Sequence, residues 1–261
     1  MEKTNDFTEG KILPKLIGFA FPVLLALFLQ AMYGAVDLLV VGQFSSAAAV
    51  SAVSTGSQIQ QSVTTVITGI AMGITVLVGQ KIGEKHPHEA GMIIGSGIAM
   101  FAVIAVILTI LMTCGASSLS ALMQAPEEAF SETTAYIRIC SAGAVFIIAY
   151  NVLGSIFRGI GDSKMPLITV AIACVINIAG DLLFVAGFHW GAAGAAAATV
   201  LAQAVSVLLS FLIIRKRALP FTMKRTNLRF NLPVIGKILK LGCPIALQDF
   251  LVSISFLVII A

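Results

Sequence analysis

Residues 16–42 read LIGFAFPVLLALFLQAMYGAVDLLVVG, an apolar run whose only charged side chain is Asp37. A helix needs roughly 20 apolar residues to cross a bilayer, and this run is long enough. The whole chain of 261 residues has the same character, with 58% apolar and 11% charged residues and a mean hydropathy of +1.01. Soluble domains carry about 45–50% apolar and about 25% charged residues. The composition therefore excludes a water-soluble enzyme and predicts an all-α integral membrane protein.

Seven apolar segments follow one another along the chain, and each is long enough to span a membrane as a helix. Helices satisfy their own backbone hydrogen bonds inside the bilayer, where no water is available. The predicted spans are residues 16–42, 50–78, 92–114, 132–156, 166–187, 192–214 and 238–261.

The basic residues lie almost entirely on one side of these predicted spans. Of the 16 Lys and Arg residues, only Arg138 lies elsewhere, and the alternate loops at 42–49, 115–131 and 188–191 contain none. Basic loops stay in the cytoplasm, so the sequence predicts a multi-pass protein of the cell membrane with a cytoplasmic N-terminus. Topology alone explains the basic loop 215–229. We therefore expect membrane lipids, and no nucleic acid, as a partner.

A short internal repeat suggests how the helices are grouped. The sequence KLIGFAFP at 15–22 is similar to KILKLGCP at 237–244, and six spans return the chain to the cytoplasm before the second copy begins. Parallel repeats of this kind are typical of transporters. We predict a six-helix lobe (1–214), a basic linker (215–236) and a seventh helix (237–261) that begins a parallel repeat. The rest of that C-terminal lobe is expected to be missing here.

Four charged residues lie well inside predicted spans: Asp37, Arg138, Asp181 and Asp249. A charge at mid-membrane costs about 2.5–3.5 kcal/mol on insertion scales, so each residue is a functional candidate. Arg138 lies near the outer end of its span, where snorkelling to the interface or pairing with an acid explains it. Asp249 belongs to the incomplete repeat.

Asp37 and Asp181 are predicted at matched depth. Counting 1.5 Å per residue from the outer ends of their spans places them, with Thr199, about 8–10 Å below the interface. Asn177 lies one turn from Asp181 on the same helix face. If these helices meet, the oxygen-rich cluster can hold a proton or a hard cation such as Na⁺. Separate interhelical hydrogen bonds are the alternative interpretation.

Several motifs in this chain resemble those of the multidrug and toxic compound extrusion (MATE) transporters. The similarity includes FRGIGDSKMP at 157–166, GQKIG at 79–83, YIR at 136–138, GAAGAAAAT at 191–199, Pro22 with Asp37, and Asn177-x-x-x-Asp181.

The resemblance implies twelve helices in two lobes around a central cavity. It also implies export of amphipathic or cationic organic compounds, such as drugs, driven by H⁺ or Na⁺ entry without an organic cofactor. By position, the coupling network would comprise Asp37, Asn177, Asp181 and Thr199. Gln30, Tyr136 and Asn151 are candidates for the same network or for the substrate site, and Pro22 is a candidate hinge. The lobe is expected to act with its own C-terminal lobe.

Two other functions are alternatives to the exporter. A lipid-linked saccharide flippase of the same superfamily would be expected to line its cavity with several basic residues, whereas Arg138 is the only base well inside a span. An intramembrane aspartyl protease would use a G-x-G-D motif such as 159–162 with a Tyr-Asp pair. Asp162, however, lies in a predicted cytoplasmic loop, and no Tyr-Asp dipeptide occurs in the chain.

The predicted orientation can be tested by cysteine labelling. In a variant lacking the four native cysteines, a cysteine at Ser46 should react with an impermeant thiol reagent added to intact cells. A cysteine at Asn227 should react only after the cells are opened. The opposite pattern would overturn the orientation.

Overall fold

The computed structural model describes residues 11–216 and 227–260, and the side chains within 11–215 and 227–252. Four of the basic residues that predict the topology lie outside the described residues: Lys3, Arg217, Lys224 and Arg225. The central part of the predicted linker, 217–226, lies outside them as well.

The described chain is almost entirely helical, as its composition predicts. The helices are α1 (Ile12–Phe44), α2 (Ala47–Gly83), α3 (Pro87–Leu122), α4 (Phe130–Ala142), α5 (Ala144–Gly159), α6 (Lys164–Asp181), α7 (Gly191–Lys216) and α8 (Leu232–Ile260). A 3₁₀ turn (Glu127–Ala129) leads into α4, and a π-helical turn (Leu182–Gly187) extends α6.

Five of these helices are long and apolar enough to cross a membrane, and the bent pair α4–α5 makes a sixth such span. Large apolar side chains such as Phe21, Leu111 and Val175 are more than 60% exposed on the outside of the bundle. Apolar exposure on this scale is expected only where lipid surrounds the protein. The chain is therefore a multi-pass membrane protein.

The fourth predicted span is not one straight helix. The sequence predicted a continuous helix over 132–156, but α4 and α5 meet at Gly143 with a bend of 55°. A Cβ at Gly143 would overlap the side chain of Val200 on α7. Because glycine has no side chain, α7 can approach the bend at Gly143. The apolar pattern of the sequence does not predict this contact.

Helix α8 packs closely against α2 because glycines remove the side chains between them. A Cβ at Gly73 would overlap the carbonyl oxygen of Ile238, and one at Gly242 would overlap that of Ile70. A Cβ at Gly69 would meet the backbone of Ala246. Small residues four apart allow this approach, so the Gly69-x-x-x-Gly73 pair serves helix packing.

The loop between α5 and α6 is a tight turn with three structural residues. Gly161 has φ +80°, a conformation that favours glycine. A Cβ at Gly159 would lie 3.0 Å from the carbonyl oxygen of Thr75 on α2. Asp162 Oδ1 accepts hydrogen bonds of 3.1 Å from the backbone N–H groups of Lys164 and Met165, which caps the first turn of α6. The acid of this motif is thus a helix cap.

The α2–α8 contact can be tested by adding single methyl groups. Gly73→Ala and Gly242→Ala should each lower the free energy of unfolding by about 1–3 kcal/mol, because the new Cβ overlaps backbone on the facing helix.

Gly115→Ala is the matched control, since nothing lies within 4 Å of a Cβ at that position on α3. It should leave stability unchanged or raise it by up to about 1 kcal/mol, the helix preference for alanine. Thermal unfolding of the purified protein measures all three variants, and equal effects would refute the close contact.

Candidate functional site

The run of small residues that opens α7 brings three helices together around the acidic residues. Ala192, Ala195, Ala196 and Ala198 are all completely buried. A Cβ at Gly180 on α6 would lie 2.9 Å from the Cβ of Ala198, so the two helices approach closely at this level. Asp181 is the last residue of α6, immediately before the π-helical turn. Such turns occur frequently at functional sites.

The three residues predicted at matched depth, Asp37, Asp181 and Thr199, lie in one cluster with Asn177. Thr199 Oγ1 donates to Asp37 Oδ2 over 3.3 Å, and Asn177 Nδ2 lies 3.4 Å from Thr199 Oγ1. No hydrogen bond joins the carboxyl groups of Asp37 and Asp181, but they lie close enough to interact electrostatically. The cluster thus joins α1, α6 and α7 through polar side chains inside an apolar bundle.

The cluster has more buried oxygens than hydrogen-bond donors. Oδ1 of Asp37, Oδ1 of Asn177 and both carboxylate oxygens of Asp181 are buried with no hydrogen-bond partner among the described residues. Buried polar atoms without a partner are costly and rare in native proteins. A proton shared by the carboxyl groups, or a cation bound by the oxygens, would supply what these atoms lack.

The donor set indicates which ions could bind. All the candidate ligands are carboxylate, amide or hydroxyl oxygens, the ligands that hard cations prefer. No group of three or more His, Cys, Asp and Glu side chains that could hold a metal occurs among the described residues. The chemistry of the cluster therefore fits H⁺ or Na⁺ better than a transition metal.

A polar cleft of about 530 Å³ opens beside the cluster. Asp37 and Thr199 contribute to its wall, whereas Asn177 and Asp181 lie deeper and are almost completely buried. The cleft lining contains no Lys or Arg in the described part of the chain. Its polar lining residues are Gln30, Tyr33, Asp37, Ser57, Gln58, Gln60, Gln61, Thr64, Tyr136, Thr199 and Gln203.

The other predicted site residues fall into two groups. Gln30 and Tyr136 line the polar cleft beside the cluster. Asn151 lines a second, smaller cleft, where its Oδ1 accepts a 3.2 Å hydrogen bond from Thr68. Pro22 lies within α1, and Arg138 is exposed on α4 away from both clefts.

Most residues of the cleft wall were not predicted from the sequence. Tyr33 and Gln203 were not singled out, nor was the polar face of α2 formed by Ser57, Gln58, Gln60, Gln61 and Thr64. Three glutamines close together in an apolar segment were a usable signal, because amides in a membrane need partners or water. Their common cleft becomes visible only once α1 and α7 are placed beside α2.

Comparison with known proteins gives consistent matches. The MatE family model matches residues 22–183. Probable multidrug resistance protein YpnP of Bacillus subtilis is 30% identical over 264 residues, covering 96% of this chain and 56% of that protein. Multidrug export protein MepA of Staphylococcus saprophyticus is 24% identical, covering 99% and 57%.

The fold also matches a solved transporter. A structure described as the outward-facing conformation of a multidrug resistance MATE family transporter of the MOP superfamily superposes with a TM-score of 0.90. The identity is 22%, with 98% of this chain and 57% of that chain covered.

These matches share two features. The chain spans little more than half the length of the curated relatives it matches. The matched region includes Asp37, Asn177 and Asp181, and the likeness in fold extends over nearly all of the chain. The chain therefore belongs to the MATE family of multidrug and toxic compound extrusion transporters.

Proposed function

We propose that this chain forms the ion-coupling half of an antiporter that exports amphipathic or cationic organic compounds in exchange for H⁺ or Na⁺. The observation that carries the proposal is the cluster of four buried oxygens without donors, which borders a polar cleft free of Lys and Arg. A proton or Na⁺ bound there would offset the cost of burying these oxygens. A site of that kind can couple ion entry to other events in the protein.

The ion reaches the cluster from the cleft. Asp37 and Thr199 are the members at the cleft wall, so a cation meets them first, and Asp181 lies behind them. Two carboxylates buried together repel each other, which favours the pair with one positive charge between them. Binding or loss of one cation therefore changes the charge of the cluster by one unit.

Helix α1 is the element that responds to this change. Its buried residues are Ala26, Asp37, Val40 and Val41, so most of the packing lies in the half that carries Asp37. The half that contains Pro22 presents exposed apolar side chains such as Phe21 and Leu24. Proline removes a backbone hydrogen bond, and helices bend at such positions. We propose that Pro22 is a hinge whose angle depends on the cation bound at Asp37.

The polar cleft is the proposed substrate site. Its volume of about 530 Å³ lies within the range of about 300–1,000 Å³ typical of drug-sized ligands. Amide and hydroxyl oxygens with one nearby carboxylate suit a cationic or neutral amphipathic compound. A lipid-linked saccharide carries anionic phosphates and would need basic residues, which this cleft lacks. Drug release follows if the two states of α1 bind the compound with different affinities.

The names of the relatives support this function. YpnP and MepA are named as multidrug resistance or export proteins, and both are longer than this chain. We propose that export requires the second lobe, in a cell membrane with the N-terminus in the cytoplasm. The proposed activity is transport and involves no covalent chemistry, so we do not propose an enzyme.

Neutralising either acid tests the coupling role. In the complete protein, Asp37→Asn and Asp181→Asn should each reduce the gradient-driven uptake of a fluorescent organic cation into inverted vesicles, which corresponds to export from the cell, by at least about tenfold. The variants lose a charge-assisted contact to the coupling ion. Membrane insertion should be unchanged, because asparagine is similar in size and less costly to bury.

Glu128→Gln provides the matched control, since it removes one carboxylate from an exposed loop residue. It should export at the unmodified rate. Unmodified export by both aspartate variants at equal expression would show that the cluster is structural and that coupling resides elsewhere.

Separate gradients distinguish the two candidate ions. Export is measured with either a Na⁺ or an H⁺ gradient imposed alone. If Na⁺ is the coupling ion, Asn177→Ala and Thr199→Ala should weaken export nearly as much as the aspartate variants, because Na⁺ uses their oxygens. A proton held by the carboxyl pair should be less sensitive to these two changes. Export driven by neither gradient would refute the antiporter.

A further inference from the structure

Arg158 belongs to the 157–166 motif, but neither the turn nor the coupling cluster explains it. It lies in the last turn of α5, at the end of the bundle where α6 begins. Asp181, at the other end of α6, is about 25 Å away along that helix at 1.5 Å per residue. Arg158 is thus remote from the acidic residues inside the bundle.

The guanidinium group of Arg158 has few partners. Nη2 donates a 3.0 Å hydrogen bond to Ser155 Oγ, one turn earlier on the same helix. Nε is buried without an acceptor, and no carboxylate lies within 4.0 Å of the side chain among the described residues. The nearby acid Asp162 caps α6 instead. The negative end of the α5 dipole offsets only part of the charge.

Arg158 lines the second cleft, which lies between α1, α5 and α6 and has a volume of about 40 Å³. The lining has two kinds of residue. Gln30, Tyr150, Asn151 and Thr169 are polar and uncharged, and Val23, Pro166 and Val170 are among the apolar residues. No acidic residue contributes to it. The cleft therefore combines one positive charge, neutral hydrogen-bonding groups and an apolar wall, and it is large enough for a head group only.

We propose that this cleft binds the oxyanion head group, phosphate or carboxylate, of an amphiphile whose tail extends along the apolar face of α1. Guanidinium groups bind carboxylate and phosphate through paired hydrogen bonds, and an acid-free lining adds no repulsion. Val23 and Leu27 of α1 line the cleft, and Leu27 is more than half exposed, so this face of the helix provides an apolar surface for the tail. Gln30 and Leu27 line both clefts, so the head-group site adjoins the large polar cleft.

This site differs in charge from the coupling cluster, and its occupancy can be measured without transport. Three amphiphiles with the same tail serve as probes: dodecyl phosphate, dodecanoate and dodecyltrimethylammonium. Each is added at increasing mole fraction to the complete protein in dodecyl maltoside, and thermal unfolding reports binding. The two anions should half-saturate the protein at a mole fraction at least about tenfold lower than the cation, the effect of one charge-assisted hydrogen bond.

Three variants assign the preference to the cleft. Arg158→Gln should abolish the difference between anionic and cationic head groups. Asn151→Asp should also abolish it while retaining Arg158, because it places a negative charge in the lining. Arg138→Gln is the matched control, since it removes an exposed arginine of α4 that lines neither cleft, and it should bind like the unmodified protein.

The source of the head group is distinguished in lipid nanodiscs. Dodecanoate binding that is weaker in phosphatidylglycerol than in phosphatidylcholine, by a larger factor in the unmodified protein than in Arg158→Gln, would identify a membrane phospholipid as the natural occupant. The comparison with Arg158→Gln removes the general repulsion of dodecanoate by the anionic surface. Equal binding in both lipids would identify a free amphiphile. The proposal is overturned if the unmodified protein shows no head-group preference, or if Arg158→Gln and Arg138→Gln reduce the preference equally. Neither result would bear on coupling at Asp37 and Asp181.

Discussion

The contact between Asp37, Asp181 and their oxygen-rich neighbours is the interaction on which the arrangement of α1, α6 and α7 depends. Carboxylates are costly to bury, and the cluster supplies too few donors to offset that cost alone. The helices around it carry the small residues that allow close packing, including Gly180 and Ala198. We propose that a cation completes this site, so that ion binding alters the packing of α1.

We propose that α1 moves because its two ends are packed unequally. The end of α1 near Asp37 is packed against the bundle, and the end with Pro22 is largely exposed. A rigid, close-packed interface switches between discrete arrangements more readily than it deforms continuously. The glycine contacts between α2 and α8 provide the opposite property, since backbone packed against backbone leaves little freedom to move. The chain thus combines a helix that we propose to move with a closely packed pair of helices.

The two clefts of the lobe differ in charge in a way that suggests a division of roles. The large cleft carries a carboxylate and many amides, and the small cleft carries a guanidinium without an acid. Gln30 and Leu27 belong to both, so the two environments adjoin along α1. An amphipathic compound with separated charges would find complementary groups in the two clefts.

The sequence by itself determined the membrane fold, the order of the helices and the identity of the acid cluster. Apolar composition shows which segments cross the membrane. The depth of a polar residue follows from its distance to the end of its segment, so the depths of Asp37, Asp181 and Thr199 could be matched. Only the tertiary structure decided the bend at Gly143, the polar face of α2 as a cleft wall, and the place of Asn151 and Arg158 in a second cleft. These features depend on how each helix is rotated and which helices touch. A helix in several different rotations would cover similar apolar areas with lipid and with protein. The rotation that it adopts is therefore set by how its side chains fit against helices that are distant in the sequence.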